Sequence, residues 1–143
     1  MFSTFSTYGV ENYKFYVRIN DSIIELLISD TPGLERYFQL AFMTCKKQDL
    51  FICVYPIDDL NSFNDIQLKI KEIKKKCKKN AHFILVGSKS DLEDKRAISY
   101  DEELELADKE KMDLFIEVSA QRNFNIDTLF FEAAKILYKK YNK

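Results

Sequence analysis

Glycine is scarce in this sequence: it occurs only three times in 143 residues, at Gly9, Gly33 and Gly87. None of the three is followed by lysine, so the phosphate-cradling pattern G-x-x-x-x-G-K-[ST] cannot occur anywhere in these residues. A triphosphate bound by this chain would therefore lack most of the hydrogen-bond donors that such a loop supplies.

Patterns for zinc binding, secretion and membrane insertion are also missing. The chain has one histidine, His82, and three cysteines without C-x-x-C spacing, which argues against a zinc site. We interpret the cysteines as reduced thiols of a cytoplasmic protein. No apolar run approaches the ~18 residues of a membrane span, and no signal-peptide pattern opens the sequence. The net charge of −1 creates no global field that would favour nucleic acid or a membrane.

The composition, 46% hydrophobic and 31% charged, is typical of a soluble globular protein, and the length predicts a single domain over residues 1–143. Residues 13–19 alternate between apolar and polar, which predicts a half-buried strand. A second, mostly apolar strand is predicted over 23–28. Asn20 and Asp21 separate the two, so we predict an antiparallel hairpin. Residues 1–9 are interpreted as a loop.

Strands and helices alternate after the hairpin. Apolar runs at 50–55, 81–86 and 114–118 predict strands, and the first suits a strand buried on both faces. Apolar spacings of three and four predict helices that include 63–77 and 126–141. Ser99 and Glu102 fit a capping box that opens a helix through about residue 111. Residues 34–44 predict a short or irregular helix. This order predicts an α/β fold: a mostly parallel sheet with helices on both faces.

The helix over 63–77 and the residues just after it carry a lysine-rich outer face. Such a face can bind an acidic lipid or protein surface, or it can simply be solvated. We favour the solvated interpretation, because charge runs usually have no other role. The lysines are Lys69, Lys71, Lys74, Lys75, Lys76, Lys78 and Lys79.

Residues 29–37 read S-D-T-P-G-L-E-R-Y and follow the second predicted strand directly. An acid that leaves a strand, followed by a glycine at a bend, is how α/β proteins present a carboxylate and backbone N–H groups to a phosphate and its metal. The alternative is an ordinary strand-to-helix turn capped by Asp30.

Three further segments lie at predicted strand ends or face the same edge of the sheet. They read S-T-Y-G-V-E at 6–11, G-S-K-S-D at 87–91 and E-V-S-A-Q at 117–121. Each is weak alone, and an isolated S-K-S-D is more often a surface turn. In this order and spacing, with D-T-P-G-L-E-R at 30–36 and D-L-E-D-K-R at 91–96, they resemble the Rab branch of the small GTPases. The resemblance covers the chain from about Thr7 onward.

The resemblance implies a role for each matching residue. Thr7 and Asp30 match the magnesium-site residues, and Gly33 matches the glycine whose N–H meets the γ-phosphate. Asp91 matches the carboxylate that accepts two hydrogen bonds from guanine, and Lys89 the lysine whose stem packs on the base. The other cofactor-binding positions are Ser88, which replaces an asparagine, Ser119, Ala120, whose N–H would meet the guanine oxygen, and Gln121, which replaces a lysine.

Leu34 stands where the family has a glutamine that orients the attacking water. Leucine forms no hydrogen bond, so we expect no catalytic residue at this position and impaired hydrolysis even with GTP bound. Pro32, in place of the usual alanine, also removes a backbone N–H. Whether the chain is an enzyme stays open on these residues.

The implied fold is a P-loop NTPase-like small G domain without the first strand, the phosphate loop and the first helix. In the family the missing strand lies between the strands that correspond to 23–28 and 50–55. Three outcomes are open: the two flanking strands pair directly in parallel, another chain supplies the strand, or the sequence is an incomplete gene product.

Rab-type proteins are guanine-nucleotide switches of vesicle traffic. The resemblance therefore implies GTP or GDP and Mg²⁺ as cofactors, bound weakly or no longer bound, and protein effectors or regulators at the switch regions. The sequence ends K-K-Y-N-K without a cysteine, so we expect no lipid anchor and at most peripheral membrane association. The alternatives are a nucleotide-free, Rab-shaped interaction module and an active hydrolase completed by a longer transcript.

Overall fold

The computed structural model describes residues 11–31 and 45–142 of the chain. The strands are β1 (Glu11–Ile19), β2 (Ser22–Asp30), β3 (Leu50–Pro56), β4 (His82–Ser88) and β5 (Leu114–Glu117). The α-helices are α1 (Leu60–Lys76), α2 (Tyr100–Lys109) and α3 (Ile126–Tyr141), and short 3-10 helices cover Cys45–Lys47 and Glu93–Lys95. The sequence predictions for 1–9 and 34–44 fall outside the described residues.

The first two strands form the predicted antiparallel hairpin. Their register pairs Ile19 with Ser22 at the turn and Glu11 with Asp30 at the open end. Asn20 adopts a φ of 53°, the left-handed conformation that asparagine tolerates better than most residues. A tight turn therefore forms at Asn20 without a glycine.

The other three strands form a parallel sheet in the order β3-β4-β5. Alternate residues of β4 point to opposite faces, as a strand requires. Phe83 and Leu85 pack in one cluster with residues of α1 and α2, whereas Ile84 and Val86 pack in a second cluster with residues of α3. The predicted parallel sheet with helices on both faces is confirmed.

The expectation that β3 is buried on both faces is wrong, because Val54 is 47% exposed. Of the three outcomes left open for the strand between β2 and β3, direct pairing of these two strands does not occur in the described ranges, where the hairpin and the parallel sheet are separate sheets. The hairpin packs instead through side chains on α3, where Val17, Ile19 and Leu26 form a third cluster with Ala134. That packing buries the inner face of the hairpin without any shared strand ladder.

The remaining boundaries differ little from those predicted. The capping box at Ser99 and Glu102 is present, but α2 ends at Lys109 because the chain turns at Glu110 and Lys111, the latter with a φ of 52°. The three cysteines, all within the described part of the chain, are thiols that form no disulfide. No helix in the described part of the chain is long and apolar enough to cross a membrane.

Candidate functional site

The carboxyl ends of β4 and β5 carry two of the predicted motifs side by side. Gly87 and Ser88 are the last residues of β4, and Gly87 lies opposite Glu117 in β5. Lys89 follows with a φ of 58°, a left-handed conformation, and its carbonyl accepts a hydrogen bond from Leu92 N at 2.9 Å. This turn folds the segment 88–92 back over the edge of the sheet, where ligands of parallel α/β proteins bind.

A hydrogen bond between side chains joins the two motifs. The hydroxyl of Ser119 donates to Oδ1 of Asp91 at 2.7 Å, and Ser119 is only 1% exposed. The same hydroxyl oxygen accepts from the backbone N–H of Arg122 at 3.1 Å. Ser90 N also donates to the carbonyl of Val118 at 3.0 Å. The Asp91 carboxylate is therefore fixed in position by the neighbouring loop.

Ala120 and Gln121 form an exposed turn above this bond. Ser119 and Phe124 exchange two backbone hydrogen bonds of 3.1 and 2.8 Å across the turn. The carbonyl of Ala120 accepts from Asn123 N, whereas the N–H of Ala120 donates to no other described residue. A backbone donor next to a fixed carboxylate can meet a ligand that presents both an acceptor and donors, as guanine does.

A charged cluster that the motif comparison missed lies beneath these loops. Arg96 forms two hydrogen bonds with Glu117, of 2.8 and 3.1 Å, and binds Glu93 on the solvent side at 2.8 to 3.0 Å. Oε1 of Glu103 accepts from the Tyr55 hydroxyl at 2.7 Å, and its Oε2 lies 3.6 Å from Nη1 of Arg96. Arg96 ends the motif D-L-E-D-K-R, and Glu117 begins the motif E-V-S-A-Q. Their places in two motifs that meet at one sheet edge were the signal that could have shown them to be neighbours.

The pKa values of Glu103 and Glu117 are shifted in opposite directions. Burial raises the pKa of Glu103 to about 8, and hydrogen bonding with the Glu117 carboxylate adds to the shift, while Tyr55 and Arg96 oppose it. Partial burial also acts to raise the pKa of Glu117, but the hydrogen bonds from Arg96 and Glu103 outweigh it and the pKa is lowered. Near neutral pH, Glu117 is the charged partner of Arg96 and Glu103 holds a proton.

Gly87 is required by close packing on this cluster rather than by its backbone conformation. A Cβ at Gly87 would lie 2.5 Å from Oε1 of Glu103 and 3.2 Å from Cγ2 of Ile57. Glu103 is fully buried and held by Tyr55, so its side chain has little room to retreat. Gly87 therefore allows the loop 88–92 to start directly above the charged cluster.

The metal and phosphate side of the predicted site is only partly described. Asp30 is the last residue of β2, is exposed, and belongs to the hairpin rather than to the parallel sheet. Thr7, Gly33 and Leu34 lie outside the described residues. Within the part that is described, no group of three or more His, Cys, Asp or Glu side chains could hold a metal ion. The structure thus brings Lys89, Asp91, Ser119 and Ala120 together but does not join Asp30 to them.

Comparison with known proteins decides the family. Residues 2–139 match the model of the family described as "Ras family". The chain belongs to the Ras family. This assignment fits the parallel sheet and the paired loops at its carboxyl edge.

Three curated relatives of this Ras-family chain are similar over most of its length. It is 34% identical over 130 residues to the "GTP-binding protein YPT1" of Saccharomyces cerevisiae, covering 91% of this chain and 63% of the relative. It is 34% identical over 132 residues to the "Ras-related protein RHN1" of Nicotiana plumbaginifolia and 35% identical over 132 residues to the "Ras-related protein Rab5" of Nicotiana tabacum, each covering 92% of this chain and 66% of the relative.

The chain thus spans slightly under two thirds of the length of these relatives. The resemblance to Rab-type small GTPases that the sequence motifs indicated is confirmed, as is the α/β fold class.

Proposed function

We propose that this Rab-type chain recognises the guanine base of GTP or GDP through the loops after β4 and β5, and that it binds the nucleotide weakly and hydrolyses it poorly. By family resemblance it would be a guanine-nucleotide switch of vesicle traffic, acting on protein effectors or regulators. The proposal is supported by its membership of the Ras family and by the relative named as a GTP-binding protein.

The observation that carries the proposal is the 2.7 Å hydrogen bond from Ser119 to Asp91. A carboxylate that must accept two hydrogen bonds from one base has to be held at one angle, and a buried serine on a neighbouring loop holds it there. Hydrogen bonds to a charged acceptor contribute roughly 1.5–3 kcal/mol each, enough to select guanine over adenine.

We call the loops after β4 and β5 the base-side loops. Their other residues have supporting roles in this proposal. The aliphatic stem of Lys89 packs on the base, and the backbone N–H of Ala120 donates to the guanine oxygen. Ser88 and Gln121 shape the two loops. Ser88 is shorter than the asparagine that the family uses, so it braces the first loop less well, which is one reason to expect weak binding.

The proposal also assigns residues to the metal ion and the phosphates. Thr7 and Asp30 would hold Mg²⁺ and Gly33 would donate its N–H to the γ-phosphate, and the metal would supply charge neutralisation for the phosphates. Within these 143 residues no G-x-x-x-x-G-K-[ST] pattern adds further donors to the phosphates. Leu34 cannot orient a water molecule, so hydrolysis is expected to be slow even when GTP is bound.

A titration with a ribose-labelled fluorescent GDP and Mg²⁺ tests the proposal, because this label leaves the base free. We expect a dissociation constant between about 1 and 100 µM. Asp91→Asn should weaken it at least tenfold, since an amide offers one acceptor where the carboxylate offers two. The same variant should gain affinity for the xanthine nucleotide, whose base presents a carbonyl where guanine presents an amino group.

Asp94→Asn is the matched control, because Asp94 is an exposed acid of the Glu93–Lys95 helix three residues away. It should bind GDP like the unchanged protein. No binding of any guanine nucleotide at about 100 µM would contradict the proposal and favour the nucleotide-free interaction module. Binding that Asp91→Asn leaves unchanged would show that the base is recognised elsewhere.

A further inference from the structure

Lysines from three separate segments of the chain meet at the other end of the parallel sheet. The segments are 45–49, just before β3, 75–80, just before β4, and 139–142, at the end of α3. Together they hold eight lysines and one carboxylate, in a chain whose net charge is −1. We call these lysines the basic end: Lys46, Lys47, Lys75, Lys76, Lys78, Lys79, Lys139 and Lys140.

Asp49 connects the three segments physically. Nζ of Lys78 forms an ion pair with Oδ1 of Asp49, and Nζ of Lys140 lies 3.6 Å from the same oxygen. The hydroxyl of Tyr141 donates to that oxygen at 2.6 Å, and Lys140 also donates to the carbonyl of Asn80 at 3.1 Å. One carboxylate thus gathers the ends of α1 and α3 around the start of β3.

The basic end keeps a large excess of positive charge. Six of its eight lysines are exposed, and the other two share the single Asp49. Partial burial acts to raise the pKa of Asp49, but the hydrogen bonds from Lys78 and Tyr141 outweigh it and the pKa lies below its ordinary value. The carboxylate is therefore charged at neutral pH, and it is the single acid that the three segments contain beside their eight lysines.

We propose that the basic end docks this protein onto an anionic lipid bilayer. All of its cations are lysines and none of the three segments contains arginine, whose planar fork is the group suited to specific, paired contacts with phosphate or nucleic acid. Lysine ammonium groups are point charges on flexible stems. Because three different segments carry them, they suit the many negative headgroups of a bilayer surface. Such lysines each contribute roughly fivefold to partitioning onto an anionic membrane.

One aromatic side chain supports a bilayer as the partner. Tyr141 is 64% exposed although its hydroxyl is bonded to Asp49, and Nζ of Lys140 lies 5.6 Å from its ring centre. An exposed tyrosine ring beside cations suits the headgroup region, where one part of the side chain is wet and the other apolar.

The position of the basic end leaves the base-side loops facing away from the membrane. Asp49 immediately precedes β3 and His82 begins β4, whereas Pro56 and Ser88 mark the carboxyl ends of these strands. Seven residues of strand separate the two edges by roughly 20 Å. This docking is independent of the proposed nucleotide recognition and does not require it.

Flotation of the full chain with vesicles tests the inference. The vesicles contain phosphatidylcholine alone or with about 30% phosphatidylserine, at about 0.1 M salt. We expect binding only to the anionic vesicles and release at about 1 M salt, where charges are screened within ~3 Å. The double variant Lys47→Glu, Lys139→Glu should partition at least ~30-fold less.

The matched control reverses two exposed lysines outside the basic end, Lys95→Glu and Lys109→Glu. Both double variants change lysines near the ends of two helices, and both lower the net charge by the same amount. The control lies outside the basic end, so it should float within about threefold of the unchanged protein. Circular dichroism checks that both variants are folded. The salt dependence of the unchanged protein tests the inference even if one variant does not fold.

Four results would overturn the inference. They are no flotation of the unchanged protein, equal binding to vesicles without phosphatidylserine, equal loss in both double variants, and tighter binding to RNA or polyglutamate than to vesicles at the same concentration of negative charge. The last would assign the basic end to a nucleic-acid or acidic protein partner.

Discussion

Glu103 is a carboxyl group with no exposed surface, and burial raises its pKa to about 8. In the unfolded chain the ordinary value of 4.5 applies, so between pH 4.5 and about 8 the folded state holds a proton that the unfolded state releases. The free energy of unfolding should therefore fall as the pH rises through this range. Glu103→Gln, which is neutral at every pH, should remove this dependence.

Urea unfolding at pH 5 and pH 8 measures the effect. We expect Glu103→Gln to exceed the unchanged protein in stability at pH 8 by on the order of 2–4 kcal/mol, and by much less at pH 5. Glu105→Gln, an exposed acid on the same helix, is the control and should follow the unchanged protein. An unchanged pH dependence in Glu103→Gln would refute the buried protonated state. Glu117 contributes below this range, because its lowered pKa stabilises the fold until the pH falls through it.

The sequence could not reveal Glu103, whereas it did indicate Asp91. Asp91 stands in a motif whose chemistry is known, and its partner Ser119 lies in another such motif. Glu103 reads as one more acid near the start of a helix with acidic residues at 101, 102 and 103. Only the placement of α2 on the sheet, with Leu106 and Ala107 on the same buried face, turns that acid inward.

The start of α2 is set by the capping box. The hydroxyl of Ser99 accepts from Glu102 N at 3.2 Å, and the Glu102 carboxylate accepts from Ser99 N at 2.8 Å. Ser99→Ala should lower the free energy of unfolding by about 1 kcal/mol, because an otherwise unpaired helix N–H loses its acceptor. Ser99→Gly should cost only a few tenths, since glycine suits the cap position.

Denaturant unfolding of both variants at one pH tests the cap. Glu102→Gln is the matched control, since glutamine can still reach back to the backbone of Ser99, and it should differ little from the unchanged protein. A Ser99→Ala variant as stable as the unchanged protein would mean that packing alone sets this helix end.

Local patterns predicted most elements because each depends on neighbouring residues. The period of two in β1, the apolar run of β4 and the spacing in α1 and α3 all reflect one face buried against one partner. The exposure of Val54 was not predictable in this way. An apolar run shows that a strand can be buried on both faces, but only the assembled molecule shows what covers each face.

Two separate sheets sharing α3 are a property of the whole molecule. The sequence predicted the hairpin and the parallel sheet, but not that they meet without a shared strand ladder across residues 11–31 and 45–142. The reason is that α3 has two apolar faces. Leu129 and Ala133 pack on the parallel sheet, and Phe130 and Ala134 pack on the hairpin. The same arrangement places Asp30 at the end of a hairpin strand, whereas Asp91 lies in the loop that follows β4 of the parallel sheet.

This division predicts that the hairpin opens more readily than the parallel sheet. The hairpin is held through side-chain packing, including the rings of Phe15 and Phe130 at 5.3 Å, whereas β4 is paired on both edges. Native-state hydrogen exchange should therefore be fastest in β1 and β2 and slowest in β4. Phe130→Ala should accelerate exchange of the hairpin amides roughly 10- to 100-fold and leave those of β4 nearly unchanged.

Leu129→Ala is the matched comparison, because Leu129 is the adjacent residue of α3 and faces the parallel sheet. It removes buried contacts from the central core, so it should accelerate exchange of both hairpin and β4 amides. If Phe130→Ala accelerated both regions equally, the hairpin and the sheet would unfold as one unit. The loops that we propose to recognise the base would then open together with the hairpin that carries Asp30. Separate opening would instead let these loops stay formed while Asp30 moves.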